Sequence, residues 1–339
     1  MQKTYEEIVN TVICGNALDI IPTLPKESIQ TCITSPPYYG LRDYGTSSWD
    51  GGDPDCEHRT MRDRRSDNSK KQKTNRGNVV GSMEIKVGQQ CPLCGALRID
   101  SQIGLEKTMY DYIDNLTLVF QYIKEIMKDN GTLWLNLGDS YANSGQINSD
   151  GRRGFSGKKG DGIMNKTIKG LHPKNLLGIP WKVAFALQRS GWILRQEIIW
   201  NKSNPMPSSV TDRPTRSHEQ IFLFSKSPHY YYDCDAIREK YLTVDKKYNT
   251  NKKGKNKRSV WTTSIGVNPS AHHAVFPEKL IIPCIQAGCP EGGLVLDPFF
   301  GSGTTGIVSR KLGRNWVGIE LNPKFAEFAQ SRFVQRELF

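Results

Sequence analysis

The chain has 339 residues and a formal net charge of +12. It is long enough to bury a full core without disulfide staples and to hold about two domains. No apolar run approaches the ~20 residues of a bilayer span, and the opening MQKTYEEIVN is too polar and acidic for a secretory or transit peptide. No membrane segment is therefore expected, and a cytoplasmic protein is. The positive excess points to a polyanion, nucleic acid first. Lys and Arg gather in three loop-like stretches, Arg59–Arg76, Arg152–Lys174 and Lys246–Arg258, where they can neutralise phosphates. Eight cysteines in a cytoplasmic chain are expected to be reduced. Cys14, Cys32, Cys234, Cys284 and Cys289 read mostly as buried small apolar residues.

In chain order, the first expected element is a buried strand, Ile29–Thr34, ended by Pro36 and Pro37. Residues 44–101 are rich in Gly, Asp, Lys, Arg and Asn and read as an insertion. Tyr110–Lys128 is helical, with Ile113, Leu116, Phe120, Ile123 and Met127 on one stripe and Gly131 as its cap. A strand follows at Thr132–Leu137, then a polar, Gly- and Lys-rich loop over Asp139–Asn175. Next come a helix at Trp181–Arg189 and strands at Trp192–Trp200 and Glu219–Ser225. The last third alternates regularly: helix Pro277–Gln286, strand Leu294–Leu296, turn Gly301–Gly303, helix Thr304–Leu312, strand Trp316–Ile319, helix Pro323–Arg332. Such alternation predicts an α/β fold with a parallel, doubly wound, Rossmann-like sheet.

Two motifs carry chemistry. LVLDPFFGSGTTG, Leu294–Gly306, is strand, tight turn and helix, which aims backbone N–H groups and a helix N-terminus at a ligand. It lacks both the third glycine of a dinucleotide site and the GK[ST] of a phosphate loop. Glu320 ends the next strand, where a carboxylate can accept both hydroxyls of a ribose. The second motif is Ser35-Pro36-Pro37-Tyr38. An exocyclic amine is a poor nucleophile because its lone pair is delocalised into the ring. Acceptors at Ser35 and at the Pro36 carbonyl can bind both amino hydrogens and free that lone pair for attack on a methyl sulfonium. The Tyr38 face can stack on an extruded base, and the face rather than the hydroxyl is the feature expected to matter.

These residues resemble the amino-methyltransferase family of bacterial and phage DNA methyltransferases, in the β-type order that places the catalytic motif before the cofactor motif. Ser35-Pro36-Pro37-Tyr38 resembles the family's [DNS]PP[YFW] motif. Asp297, Pro298, Phe299, Gly301, Gly303 and Thr304 resemble its S-adenosylmethionine turn. Glu320, with Leu321-Asn322-Pro323, resembles its ribose-binding acid. His272, Ala274, Phe276, Pro277 and Leu280 match the segment beside the cofactor, while Gly131–Asp139, His218-Glu219 and Phe224-Ser225-Lys226 match intervening blocks. Asn16 departs from the Asp usual after Gly there. Trp200, Lys202 and Asn204 fit a block near the target base, and Asp139 reads as a pocket or turn residue. The resemblance implies methyl transfer from S-adenosylmethionine to a flipped base in double-stranded DNA. It also implies a separate restriction endonuclease as partner in a restriction–modification pair, and a monomer or homodimer. Ser35 favours cytosine N4 over adenine N6. A non-catalytic DNA-binding relative is a further reading, against which the intact motifs stand.

Cys56, His58, Cys91 and Cys94 form two close pairs with the ligand set of a structural zinc site. The expected organisation is a catalytic half at 1–43 and 102–230, a zinc-bearing basic insertion at 44–101, target recognition at 231–270, and a cofactor half at 271–339.

Overall fold

In the computed structural model, residues 2–42, 44–58, 90–142, 170–241, 251–265 and 276–334 are described. The chain divides into two compact units, residues 1–42 with 103–339, and residues 43–102. The larger unit opens with α1 (Tyr5–Ile8), β1 (Thr11–Cys14), α2 (Ala17–Ile20), a 3-10 turn and β2 (Ile29–Thr34). The smaller unit holds β3 (Ser48–Asp50) and β4 (Leu97–Ile99), paired antiparallel. The larger unit resumes with α3 (Met109–Ile126), β5 (Met127–Leu137), α4 (Ile179–Arg189), β6 (Ile193–Lys202), β7 (His218–Ser225) and β8 (Val260–Thr263). It ends with α5 (Glu278–Gly288), β9 (Leu294–Asp297), α6 (Thr304–Lys311), β10 (Asn315–Glu320) and α7 (Pro323–Val334).

One eight-stranded sheet organises the larger unit, in the order β1-β10-β9-β2-β5-β7-β6-β8. Alternation within each strand explains why both faces are covered. Cys32, Leu133, Leu135, Leu294, Leu296, Phe222 and Phe224 enter one apolar cluster, with the α3 stripe and α4. Their neighbours Ile33, Trp134, Val295, Ile221 and Leu223 enter the other, with Leu280, Ile281 and Ile285 of α5. Strands buried on both faces read as continuous apolar runs, the pattern of a doubly wound sheet. Four residues of the expected stripe, Ile113, Leu116, Phe120 and Ile123, are buried along α3, whereas the fifth, Met127, lies beyond the helix end and is buried at the start of β5. The helix starts in a reciprocal cap: Asp111 N–H donates to Thr108 Oγ1 at 3.1 Å, and Thr108 N–H to Asp111 Oδ2 at 3.2 Å.

Several expectations are corrected. The sheet is not wholly parallel, because β7 runs antiparallel to both β5 and β6. Ile29–Thr34 is not the first element: β1 pairs with β10 at one sheet edge, and its four residues are too few for a periodic signal. Gly131 is no helix cap. It lies inside β5, where a Cβ would stand 2.2 Å from Met127 Cγ. Cys32, Cys284 and Cys289 are buried, but Cys14 and Cys234 are exposed. The basic stretch Lys246–Arg258 runs directly into the opposite sheet edge, for β8 pairs with β6. Its described cations are largely paired: Arg258, Lys255 and Lys257 face Glu239, and Lys253 faces Asp235. Residues 59–76 and 152–169, His272 and Ala274 lie outside the described residues. No described helix is long and apolar enough to cross a membrane.

Candidate active site

The parallel strands β9 and β2 are neighbours in the sheet, and the loops leaving their carboxyl ends meet. β9 continues into α6 and β10 on one side, while β2 leads towards β5 on the other, so the chain turns opposite ways from this pair. Ligands bind at such a switch point in open α/β sheets. The reversed β7 adds a second ingredient. It begins where its parallel neighbours end, so Glu219 lies opposite Trp200 of β6, and Gln220 opposite Leu137 of β5. The carboxyl rim therefore collects side chains from β2, β5, β6 and β7.

Ser35-Pro36-Pro37-Tyr38 leaves β2 at this rim. The Pro37 carbonyl accepts from Tyr112 Oη of α3 at 2.9 Å, which ties the loop to a buried helix. The Ser35 hydroxyl donates to Tyr38 Oη at 3.3 Å, and Tyr38 Oη donates to Glu219 Oε2 at 2.7 Å. Asn136 closes the group, with its Nδ2 3.3 Å from Glu219 Oε2 and its Oδ1 3.3 Å from Tyr38 Oη. The other oxygen of Glu219 pairs with Lys202, whose ammonium also sits 4.6 Å from the Trp200 ring centroid. Burial, and then the charge of Glu219, push the Tyr38 phenol well above its ordinary value, so it stays a donor. The Tyr38 ring lies against Gly138, where a Cβ would stand 2.4 Å from Cε2. The hydroxyl thus has a defined partner, which the expectation of a merely stacking face did not contain. Glu219, Lys202 and Asn136 were visible in sequence only as parts of blocks. Their convergence depends on the reversal of β7.

The cofactor-type turn is built around two buried acids. Asp297 ends β9 and receives Thr34 Oγ1 and Thr305 Oγ1, each at 2.7 Å, and the Phe299 N–H at 3.1 Å. Burial still raises its carboxyl to about 6. Both oxygens are thus occupied by the protein's own donors, and Thr34 joins the two loops directly. Glu320 ends β10. Its Oε2 accepts from Gly301 N–H at 2.7 Å and its Oε1 from Asn322 N–H at 2.9 Å. Desolvation raises its pKa too. Gly301 is left-handed, at φ 52°, and a Cβ there would meet nothing within 4 Å, so the backbone faces open space. Gly303, at φ 79°, caps α6 and precedes Thr304. Phe300 turns inward onto Trp316 and Phe333, and Gly318 is required beneath it, since a Cβ would stand 2.3 Å from the ring. Pro298 and Phe299 continue the turn, with Phe299 packed on the main cluster.

Other expected residues take structural places. Asn322 Oδ1 accepts from Lys324 N–H at 3.0 Å, a capping contact at the start of α7. Pro277 is the N-cap residue of α5, and Phe276 packs on the cluster holding Ile33 and Val295. Asn16 caps α2 by accepting from Leu18 N–H. Asp139 accepts from the Gly178 and Ile179 N–H groups and so holds the start of α4. Asn204 accepts from Ile265 N–H. A groove lined by Asn130, Pro228, His229, Tyr230 and Tyr231 lies at the opposite end of β5 from Gly138 and takes no part. In the smaller unit, Cys56, His58, Cys91 and Cys94 come together, their candidate ligand atoms all within 4.8 Å of one another.

A profile of the DNA methylase family that comprises N6 and N4 methyltransferases matches residues 29–331. The chain belongs to this DNA methylase family. It is 40% identical over 325 residues to the type II methyltransferase M.SmaI of Serratia marcescens, covering 96% of this chain and 91% of that protein. It is 39% identical over 328 residues to M.Cfr9I of Citrobacter freundii, covering 95% and 87%. Among solved structures, the PvuII DNA methyltransferase, described as cytosine-N4-specific, superposes with a TM-score of 0.58 at 17% identity, covering 95% of this chain and 85% of that one. A Thermus thermophilus protein named as a DNA modification methylase and solved with S-adenosyl-L-methionine gives 0.53 at 17%, covering 96% and 93%. At that identity the two structures establish the shared fold. This methyltransferase is thus a type II DNA amino-methyltransferase, and such enzymes belong to restriction–modification systems.

Proposed function

We propose that this methyltransferase transfers a methyl group from S-adenosylmethionine to the exocyclic N4 of cytosine in double-stranded DNA, with N6 of adenine as the alternative target. The observation that carries this reading is the direction of the hydrogen bonds from Ser35. Ser35 donates to Tyr38, Tyr38 donates to Glu219, and Glu219 is held by Lys202. With its proton committed to Tyr38, the Ser35 oxygen presents only lone pairs to a base. That is what an amino hydrogen requires. The Pro36 carbonyl supplies the second acceptor, and the bound amine then turns its lone pair towards the methyl donor. The Tyr38 face stacks on the flipped base, and the product amine loses its extra proton after transfer. Ser in the first motif position favours cytosine by resemblance, and the similarity to a cytosine-N4-specific enzyme is in keeping with it.

The cofactor turn fits S-adenosylmethionine. Bound there, it supplies an electrophilic methyl group. Glu320 uses one backbone donor per carboxylate oxygen, and a carboxylate offers about four lone-pair positions, so it can still accept a ribose. Gly301, Gly303 and Thr304 offer an open backbone and a helix start, and Phe276 and Pro277 flank the site. Asp297 holds the turn rather than the ligand, and Asn322 holds α7 beside Glu320. Residues 231–270 are assigned to target recognition. The metal proposal is a structural zinc on Cys56, His58, Cys91 and Cys94.

Single-turnover transfer to duplex DNA, with the product nucleoside identified by mass spectrometry, tests the proposal. N4-methylcytosine is expected, and N6-methyladenine selects the alternative. Tyr38→Phe removes only the hydroxyl, so Ser35 loses its acceptor. A hydrogen bond of this kind is worth about 1–2 kcal/mol, which predicts a roughly tenfold slower transfer with S-adenosylmethionine affinity unchanged. Wild-type rates in that variant would remove the hydroxyl from the argument.

A further inference from the structure

We infer that the smaller unit is a zinc module whose metal, bound through Nδ1 of His58, takes the place of a hydrophobic core; this deepens the zinc reading above and rests on it.

The described residues of the unit bury very little apolar surface. Among its described residues only Cys91, Ala96 and Gln102 are buried, while Leu93, Leu97 and Ile99 are 56%, 46% and 50% exposed. Its sheet is two strands of three residues, far below what is stable alone in water. What it does concentrate is ligand atoms. Cys56 Sγ and Cys91 Sγ are 3.9 Å apart, and Cys94 Sγ and His58 Nδ1 are 3.3 Å apart. A disulfide needs about 2.05 Å, so the sulfurs are not bonded. Ligands on a tetrahedral zinc, with Zn–S about 2.3 Å and Zn–N about 2.0 Å, stand about 3.8 Å (S to S) and 3.5 Å (S to N) apart. These two spacings match a tetrahedral site, and all four candidate ligand atoms lie within 4.8 Å of one another, a set that would leave no open position for catalysis.

The local chain is shaped to hold these atoms. Cys91 N–H donates to the Ala96 carbonyl at 2.7 Å and Gly95 N–H to the Cys91 carbonyl at 2.8 Å, with Gly95 left-handed at φ 77°. This folds the chain into a knuckle. Gly52 passes under the second thiol so closely that a Cβ would stand 2.8 Å from Cys94 Sγ. The Trp49 ring stacks on His58, with centroids 5.0 Å apart and planes 26° from parallel, and holds the imidazole with Nδ1 towards the sulfurs. Ligation through Nδ1 fixes the tautomer with its proton on Nε2.

The full-length chain, purified without added metal, is expected to carry one zinc per chain by plasma mass spectrometry. Its cobalt(II)-exchanged form should show thiolate-to-cobalt charge transfer and tetrahedral d–d bands. Cys94→Ser should weaken the charge transfer. His58→Cys, which keeps a four-ligand set, should raise it by about one third as a fourth thiolate is added. Long-range proton–nitrogen correlation on the zinc form should show His58 protonated at Nε2. A folded chain with no zinc, or one that takes up cobalt without charge transfer, overturns the module. An Nδ1-protonated His58 overturns its geometry. These readouts do not depend on the methylated base, so a failure to form N4-methylcytosine leaves the metal result standing, and the reverse holds equally.

Discussion

Asp297 is 2% exposed and its carboxylate is satisfied by two hydroxyls and one N–H, yet desolvation outweighs those bonds and lifts its carboxyl from an ordinary 3.8 to about 6. A carboxyl raised on folding binds protons better in the folded state. Its contribution to stability is fully present below the unfolded value and is lost as pH rises through the folded one. A two-unit shift corresponds to about 3 kcal/mol between roughly pH 4 and pH 6. Urea unfolding of the wild type and of Asp297→Asn at both pH values isolates the effect. The wild type should lose more stability than the variant on going to the higher pH, and equal losses would show that Asp297 titrates normally. Glu320 shifts in the same direction for the same reason. Burial thus works against the charged form of both acids in this turn.

At the scale of elements, the carboxyl end of β5 meets the Ser35–Tyr38 loop through one missing side chain. Gly138 follows Leu137 directly, and a methyl there would enter the Tyr38 ring at 2.4 Å. Gly138→Ala should displace the ring, at an overpacking cost of about 1–3 kcal/mol. Methyl transfer should fall well over tenfold, while calorimetric S-adenosylmethionine affinity stays near wild type, because Gly301, in the turn after β9, and Glu320, at the end of β10, belong to other parts of the sheet. Undiminished transfer would mean the ring has another place to go. Much of this architecture was legible beforehand. The helices and strands of the last third have sharp Pro and Gly boundaries, and the α3 stripe is long enough to show its period. The two loops of the candidate site were recognisable as local motifs. What was not legible depended on distant partners. β1 and β8 are four residues each and gain their identity only by pairing with β10 and β6. The reversal of β7 has no local signature, and with it the approach of Glu219 and Lys202 to Tyr38 was hidden. Gly131 looked like a cap because its role depends on Met127, four residues back in the same strand.

For the whole molecule, the excess of 46 Lys and Arg over 34 Asp and Glu predicts binding dominated by phosphates. The ion pairs within 235–258 show that the formal charge overstates the free cations available near β8. Affinity for duplex DNA should fall as a straight line in log–log coordinates against salt, with a slope of about −0.9 per phosphate neutralised. Fluorescence anisotropy over a salt series measures it. A flat line would mean that phosphates play no part in holding the duplex.

The strand order has a consequence for biosynthesis. β10 and β9 lie between β1 and β2, although they are made almost three hundred residues after β1. Until Leu294–Glu320 has left the ribosome, β1 has no partner strand, and β2 is open along the edge that β9 will cover. The nascent chain therefore carries a slot two strands wide, lined by unpaired backbone and by the apolar side chains of Cys32 and Ile33. Filling that slot completes the sheet, and the same event brings Asp297 to Thr34. The sheet is therefore completed, and the two loops of the candidate site are joined, only after residues 294–320 have been made.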